Sequence, residues 1–276
     1  MRQVSHSEIS TYLDCQKKWE LQYVKGIRIE KPDFVFGSVG HKVLETRVIP
    51  DENLYPELKE QYGISSWKDY FEPILEELDD RFSDYEVLYK EYKVENEYLK
   101  GVIDVVWKNK TTGRYLITDY KFSNSDKGAD DILMDEQMYI YAVMFAAEKC
   151  IPLDSIDLGY ISIPKKEMNK PRVLKNGQLS KDKAQNTTYK KYLETIEELG
   201  LNKTDYEDFL SEISGRTLLT VVISSINMDM LRRIMHNIDN TLKDMQKGYV
   251  LEKCSFMCNK CDYVDYCKRG KKKDEN

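Results

Sequence analysis

Acidic and basic side chains interrupt two apolar strands in the segment "LKGVIDVVWKNKTTGRYLITDYKF", residues 99–122. A hairpin turning at "NKTTG" pairs residues whose numbers sum to about 223, which places Asp104 opposite Asp119. Alternation along the second strand puts Lys121 on the same face as Asp119. Two adjacent carboxylates repel each other, and a hard divalent cation such as Mg²⁺ or Mn²⁺ relieves that repulsion. With a lysine to orient or activate water, the pattern predicts metal-assisted phosphodiester hydrolysis. The alternative is a solvent-facing acidic pair bridged by Lys121.

The elements that must position these side chains alternate along the chain without repeats. Helical periodicity predicts helices near 66–82 and 227–246 and in "LMDEQMYIYAVMFAAEKC". Strand-like segments lie near 86–107 and 114–122, with others at "SIDLGYISIP" and "TLLTVVIS". This order of elements predicts an α/β or α+β fold.

Two predicted helices precede the strands. Ser5 and Glu8 form a capping box before a first helix that contains Cys15. The segment "GSVGHKVLETRV" predicts a glycine-led turn into a second helix. His41 and Glu45 lie four residues apart on it and therefore share a face. A helix-surface pair is a sufficient explanation for Glu45, and a metal ligand is the other.

Four of the six cysteines lie in "KCSFMCNKCDYVDYCK", residues 253–268. The chain shows no apolar run that would serve as a signal peptide or membrane span, so a reducing cytoplasm is expected and metal binding is favoured over disulfides. The tail alone allows a zinc site of four thiolates. Its first three cysteines also match the C-x3-C-x2-C pattern of radical SAM enzymes, but the terminal position and Lys260 before Cys261 disfavour that interpretation.

Composition permits a polyanionic partner without requiring one. The 276 residues are 41% hydrophobic and 33% charged, with a formal net charge of -6, which allows a real core in one large domain or two small ones. Residues 51–99 are strongly acidic, whereas residues 164–191 and the terminal "KRGKKK" are basic. Such runs are usually solvated surface, and they also suit contacts with a nucleic acid.

The motifs "GSVGHKVLE", "GVID", "TDYK" and "QMYIYA" together resemble the RecB-like, AddB-like branch of the PD-(D/E)XK nuclease superfamily. The resemblance implies a restriction-endonuclease-like core with a central mixed sheet flanked by helices. It also implies that two acids and a histidine bind Mg²⁺ or Mn²⁺, that a lysine serves the attacking water, and that a glutamine and a tyrosine complete the site. These residues are Asp104, Asp119, His41, Lys121, Gln137 and Tyr141.

The segment "SHSEISTYLDCQKKWELQY" is similar to the N-terminal signature of iron–sulfur members of that family. The resemblance implies that Cys15 joins Cys258, Cys261 and Cys267, spaced C-x2-C-x5-C, to hold a 4Fe-4S cluster. Such a cluster would clasp the first and last elements together as a structural staple. Cys254 is then expected to be a spare thiol, and Cys150 a buried packing residue.

The expected organisation is a single nuclease domain over residues 1–276. Its parts are a helical part at 5–50, a catalytic core at 86–165, an insert of unassigned role at 166–225 and the cysteine segment at 250–268.

The expected function is a cytoplasmic, metal-dependent DNA nuclease without a membrane segment. We expect an exonuclease that processes DNA ends, single-stranded or with single-stranded tails, in recombination, repair or phage replication. The alternatives are a CRISPR-adaptation nuclease that trims spacers and a non-catalytic, DNA-end-binding iron–sulfur subunit. The complete D…D-x-K set argues against the last of these, because a module that only binds needs no lysine to serve the water.

Overall fold

The structure is a computed structural model of the chain, and it describes residues 2–29, 31–123, 127–248, 250–251 and 256–267. Cys254 and the basic segment after Cys267 lie outside the described residues. Among the helices that are described, none is both long enough and apolar enough to span a membrane.

A mixed sheet of five strands forms the centre of the described part of the chain, with the strands adjacent in chain order. The third and fourth strands are parallel, and the other neighbours are antiparallel. This confirms the predicted mixed sheet flanked by helices. The strands are β1 (Tyr85–Glu95), β2 (Lys100–Asn109), β3 (Tyr115–Phe122), β4 (Ile156–Ile163) and β5 (Thr220–Ser225).

The helices of the described residues are α1 (His6–Asp14), α2 (Gln16–Trp19), α3 (Pro32–Thr46), α4 (Pro56–Tyr62), α5 (Trp67–Arg81), α6 (Ala129–Leu133), α7 (Glu136–Lys149), α8 (Tyr189–Glu198), α9 (Glu207–Glu212) and α10 (Met228–Gln246). A π-helical turn spans Glu20–Val24, and short 3-10 turns lie at Leu153–Ser155, Lys203–Tyr206, Phe256–Lys260 and Val264–Tyr266. The bounds of α5 and α10 agree with the predicted helices.

The β2–β3 hairpin has the predicted register. Val105 pairs with Thr118, and Lys108 pairs with Tyr115, so the residue numbers of each pair sum to 223. Upstream, the region predicted to be strand-like near 86–107 divides at residues 96–99. There the Asn96 side chain accepts the amides of the two residues that precede β2, which closes a turn between β1 and β2.

Each face of the sheet packs against helices. On one face, Ile117 belongs to an apolar cluster formed with α1, α7 and α10. On the other face, Leu116 and Tyr120 pack against α3 and α5. Consecutive residues of β3 therefore serve opposite cores, as strand alternation predicts. The catalytic candidates lie where one end of this two-sided core reaches solvent.

Two predictions about the N-terminal helices need correction. Helix α3 begins at Pro32, so Gly37 and Gly40 lie inside the helix and do not form a turn before it. Proline is well suited to a first helical turn, and a Cβ at position 40 would lie 2.1 Å from the Phe122 ring, so glycine here permits close packing on β3. Cys15 lies between α1 and α2 in an extended conformation (φ -161°), not within a helix.

The predicted capping box at α1 forms only in part. The Ser5 hydroxyl accepts the Glu8 amide at 3.2 Å, as expected of an N-cap. The Glu8 carboxylate is buried and accepts hydrogen bonds from Arg2 and from Trp19 Nε1, so it ties α1 to the residues on either side.

The insert between β4 and β5 has its own small apolar cluster, built mainly from α8, α9 and the turn between them. Thr204, followed three residues later by Glu207, predicts a capping box for a helix in this region. Instead, the Asn202 side chain accepts the Thr204 amide and caps the 3-10 turn at Lys203–Tyr206, while α9 begins without a side-chain cap. Asparagine is as strong an N-cap as any residue, and here it precedes the threonine.

Candidate active site

Asp104 lies where β2 and β3 stop pairing. The described ladder between these strands reaches Val105 and Thr118, one residue short of the Asp104–Asp119 pair. Here the Asp104 carboxylate replaces a backbone partner, because its Oδ2 accepts the Tyr120 amide at 2.7 Å. Asp104 therefore lies in a gap between the strand ends, fixed by a charge-assisted hydrogen bond.

Asp119 and Lys121 lie on one face of β3, as the alternation predicts. Lys121 Nζ is 2.8 Å from Asp119 Oδ2, and the Asp119 side chain is only 9% exposed. On its other oxygen, Asp119 accepts a hydrogen bond from Gln137 Nε2 at 3.1 Å. The carboxylate is thus held from two sides.

Helix α7 supplies Gln137 and Tyr141 to the same place. The Asp135 carboxylate caps the helix by accepting the amide of Gln137 at 2.8 Å. One turn later, the Tyr141 hydroxyl accepts from Gln137 Nε2 at 3.1 Å. Gly101 on β2 leaves room for the tyrosine ring, because a Cβ there would lie 2.3 Å from it. The two residues that the sequence predicts on one helix face do meet at the candidate site.

His41 approaches the gap from the opposite face of the sheet, on α3. Its Nδ1 is 3.4 Å from Asp104 Oδ2, and its ring contacts Tyr120 and Phe122 with centroid distances of 6.0 and 5.8 Å. Those aromatic contacts fix the plane of the imidazole. A neutral imidazole beside carboxylates is a common metal-ligand set in proteins.

Glu91 on β1 is the site residue that the sequence analysis missed. Among the described residues, one potential metal-binding group has its ligand atoms within 4.8 Å of one another, and it consists of His41, Glu91 and Asp104. Glu91 Oε1 lies 3.9 Å from His41 Nδ1. Glu91 also has a left-handed backbone (φ 46°), which is uncommon for a residue other than glycine and is found more often at functional sites.

The register of β1 explains why Glu91 was missed. Lys90 pairs with Val105 and Tyr92 with Ile103, so Glu91 lies across from Asp104. That alignment depends on the turn at 96–99 and on an irregularity between Val87 and Tyr89. The acidic residue itself is visible in "KEYKVENE", but neither the turn nor the irregularity has a sequence signal strong enough to give the pairing.

The crowded acidic groups of the candidate site raise the pKa values of their neighbours. Burial and the neighbouring Asp104 charge raise the pKa of Asp119 from 3.8 to about 6. Burial, together with the same Asp104 charge, also raises the pKa of Glu91. For His41, burial lowers the pKa, but the hydrogen bond and charge of Asp104 outweigh it and the pKa is raised. Each of these groups retains a proton more readily than usual, which is the response expected of a site with more negative charge than its surroundings compensate.

Lys121 remains charged in this setting. Burial lowers its pKa, but the adjacent Asp119 carboxylate more than compensates, and the pKa is raised above 10.5. Its ammonium also lies 5.3 Å from the centre of the Tyr160 ring. An ammonium in this position can orient a water or stabilise negative charge, but it cannot accept a proton.

Glu45 lies outside the potential metal group. Its Oε2 pairs with Lys42 Nζ at 2.8 Å on the surface of α3, which is the helix-surface pair left open by the sequence.

The cysteine segment contacts the chain just after Cys15. The Leu251 amide donates to Gln16 Oε1 at 2.6 Å, Asp262 pairs with Lys31 at 2.7 Å, and the Tyr263 hydroxyl donates to the Ile27 carbonyl at 3.1 Å. The tail therefore packs against residues 16–31.

Cys15, Cys258, Cys261 and Cys267 are each partly exposed, and four thiols are a donor set suited to an iron–sulfur cluster or to zinc. Cys150 is exposed at the left-handed C-cap of α7, so the prediction of a buried packing residue is wrong. The C-cap of α7 places Cys150 at the surface. The apolar residues that surround Cys150 in the sequence did not indicate this exposure.

Comparison with known proteins identifies the family. No curated protein matches the chain. Among solved structures, one titled "Crystal structure of SSO0001" is 12% identical, covering 88% of this chain and 98% of that chain with a TM-score of 0.28. The model of the family described as "PD-(D/E)XK nuclease superfamily" matches residues 3–268. The chain therefore belongs to the PD-(D/E)XK nuclease superfamily.

Proposed function

We propose that this protein is a metal-dependent deoxyribonuclease that acts as an exonuclease on DNA ends. Membership of the superfamily implies a metal-dependent nuclease with a nucleic acid substrate. The observation that supports the proposal best is the convergence of Asp104, Asp119, Lys121 and His41 from three elements on one gap in the sheet. A structural acidic pair has no need for the histidine or the half-buried lysine.

The candidate ligands for Mg²⁺ or Mn²⁺ are His41, Glu91 and Asp104, which form the potential metal-binding group. We add the carboxylate of Asp119, which lies outside that group and is engaged by Lys121 and Gln137. Carboxylate oxygens and an imidazole suit these ions, Mn²⁺ especially because it accepts nitrogen more readily than Mg²⁺ does. When bound, the ion supplies a Lewis acid for the phosphate and lowers the pKa of a coordinated water.

We assign to Lys121 the positioning of the attacking water and the stabilisation of charge on the phosphate. Its raised pKa keeps it an ammonium, so it donates hydrogen bonds and does not act as the base. Gln137 and Tyr141 act through Asp119: the amide of Gln137 holds one carboxylate oxygen, and the Tyr141 hydroxyl holds Gln137. They are positioning residues, since they orient a carboxylate that must face the cation.

We further propose that Cys15, Cys258, Cys261 and Cys267 hold a 4Fe-4S cluster of the kind found in the RecB-like branch. The contacts between residues 251–263 and residues 16–31 support this, because they bring the two cysteine-containing segments together. The cluster would be a structural clasp, and redox activity is not part of the proposal. A zinc site closed by the tail is the alternative.

For the biological process we propose end processing in recombination, repair or phage replication. The alternative process is spacer trimming in CRISPR adaptation, which also requires metal-dependent hydrolysis at a DNA end.

The test is cleavage of end-labelled single- and double-stranded DNA by protein purified without oxygen. We expect mononucleotides or short products to be released from an end with Mn²⁺, at least as fast as with Mg²⁺, and no cleavage in EDTA. Circular single-stranded DNA is the matched control, because it has the same phosphodiester bonds but no end. Cleavage that persists in excess EDTA contradicts the metal site, and equal cleavage of circles contradicts the exonuclease proposal.

A further inference from the structure

Two cavities run along α3 from the candidate metal centre and share part of their walls. The first, of about 520 Å³, is lined at one end by His41 and Glu91. The second, of about 700 Å³, is lined by residues 7–31 and by Asp262 and Tyr263 of the cysteine segment. Phe34 and Ser38 line both cavities. A single open groove therefore leads from the metal centre to the place where the two ends of the domain meet.

The far end of this groove is basic. Lys18, Arg28 and Lys31 line it, and Lys31 is paired with Asp262. Neither Lys18 nor Arg28 forms an ion pair with a carboxylate in the part of the chain that the structure describes. Two cations that have no carboxylate partner among the described residues, in a concave surface, favour an anionic ligand and offer two positions for phosphates.

The acids at the near end do not oppose such a ligand. Asp33 pairs with Lys165 at 2.5 Å, and Glu45 pairs with Lys42 at 2.8 Å. Glu91 remains, and it belongs to the potential metal-binding group, where a divalent cation would compensate its charge.

Phe34 lies between the two ends. It is 64% exposed, although a phenylalanine of the first helical turn could have packed inward as Phe36 does, which is 1% exposed. An exposed aromatic face beside unpaired cations is the combination that binds single-stranded nucleic acid, because unpaired bases have free faces on which to stack. A duplex hides those faces and would leave Phe34 in water.

We propose that this groove binds a single DNA strand that leads into the metal centre, with Phe34 stacking on a base and Lys18 and Arg28 contacting phosphates. The proposal rests on the function proposed above and specifies its substrate as a single-stranded end. Helical rise places Phe34 about 10 Å from His41 along α3, which is the length of about three stacked nucleotides. The strand would then pass the cysteine segment at Tyr263.

The test measures binding separately from cleavage, by fluorescence anisotropy of a labelled oligothymidylate with the full chain in Ca²⁺. We expect Phe34→Ala to weaken binding by about tenfold, which is the usual effect of losing one stacked base. Tyr98→Ala is the matched control, because Tyr98 is also exposed (41%) and lines neither cavity. Phe34→Trp should bind like the unaltered protein, and its new indole fluorescence should be quenched when the oligonucleotide is added.

Salt dependence tests the two cations. Lys18→Gln and Arg28→Gln should each reduce the slope of log affinity against log salt by about 0.7, the value for one phosphate contact on a single strand. Lys175→Gln and Lys203→Gln, at exposed lysines of the insert that line neither cavity, should leave the slope unchanged.

The outcomes separate the groove from the proposed nuclease. Three results would each contradict the proposed DNA-binding groove. The first is an affinity and a salt slope that none of the three groove substitutions changes. The others are no quenching in Phe34→Trp, and a blunt duplex that competes as well as the single strand. If the protein binds single-stranded DNA as expected but cleaves no DNA with Mn²⁺, the proposed nuclease activity is contradicted and the proposed DNA-binding groove is not.

Discussion

The candidate active site and the cysteine segment are held in place in different ways. At the active site, Asp104, Asp119 and Gln137 each form a hydrogen bond to a strand or helix of the central core. The contacts of the described cysteine segment with residues 16–31 include a backbone-to-side-chain hydrogen bond, an ion pair and a bond from a tyrosine hydroxyl. The active site is built on the central sheet and α7, whereas the cysteine segment lies against the N-terminal part of the chain, and the proposed cluster would add a further tie between them.

This difference predicts that the two regions fail in different ways. Damage to the active site should remove activity and leave the fold, because its residues are fixed by a core that does not depend on them. Damage to the clasp should loosen the fold first.

The largest effect is expected for Asp104→Asn. Asparagine can still accept the Tyr120 amide, so the strand ends should keep their arrangement. The lost charge weakens the metal site, and we expect the cleavage rate to fall by about 10⁴-fold with little change in melting temperature. Asp84→Asn, in the turn before β1, is the control. A variant that melts much earlier would mean that Asp104 is structural.

Cys15→Ser should lower the stability of the fold, whereas Asp104→Asn should lower only the cleavage rate. Protein purified without oxygen should be brown and contain iron, and Cys15→Ser should bleach it and lower the free energy of unfolding on the order of 4 kcal/mol, as for loss of a long-range cross-link. Cys150→Ser is the matched control at an exposed free thiol. Cys254→Ser should keep the colour. A colourless zinc protein, indifferent to Cys15→Ser but sensitive to Cys254→Ser, would show that the tail closes on itself.

In EDTA, the free energy of unfolding of the unaltered protein minus that of Asp119→Asn should fall as pH rises from about 4 to about 7. The raised pKa values of Asp119 and His41 mean that the folded chain binds these protons more tightly than the unfolded chain, so removing them favours unfolding. For Asp119, the shift from 3.8 to about 6 corresponds to about 3 kcal/mol. Urea unfolding in EDTA measures the trend, and saturating Mn²⁺ should abolish it. A difference between the two proteins that stays constant or rises over this range in EDTA would contradict the electrostatic account of the site.

Glu91→Gln should have the smallest effect. We expect Mn²⁺ to bind about tenfold more weakly, because Glu91 contributes one of several ligands or orients His41. Glu95→Gln, at an exposed position of the same strand, is the control. Isothermal titration with Mn²⁺ gives both affinities. Equal affinities for the two variants would remove Glu91 from the site.

The sequence predicted the parts of the fold that depend on local pattern. The register of β2 and β3 followed from strand alternation and a turn of recognisable composition. The position of Gln137 and Tyr141 followed from helical periodicity. These features involve neighbours in sequence, so a single chain contains enough information to place them.

Features that depend on distant packing were not predictable in the same way. The contact of His41 with Asp104 came from resemblance to a family, because nothing local relates α3 to β2. The position of Glu91 depends on an irregular strand and was missed. The early start of α3 was missed because glycine usually breaks helices, and only the Phe122 ring shows why Gly40 belongs inside one.

The most direct test of the central claim is single-turnover cleavage of a labelled DNA end by Lys121→Ala in Mn²⁺, with affinity for the same DNA measured in Ca²⁺. The account predicts that the cleavage rate falls by about a thousandfold while affinity changes by no more than about threefold, because the lysine serves the reaction and the metal ligands remain. Lys127→Ala, which lies beyond β3, should cleave normally. Cleavage by Lys121→Ala at the rate of the unaltered protein would contradict the account and make the "TDYK" strand structural.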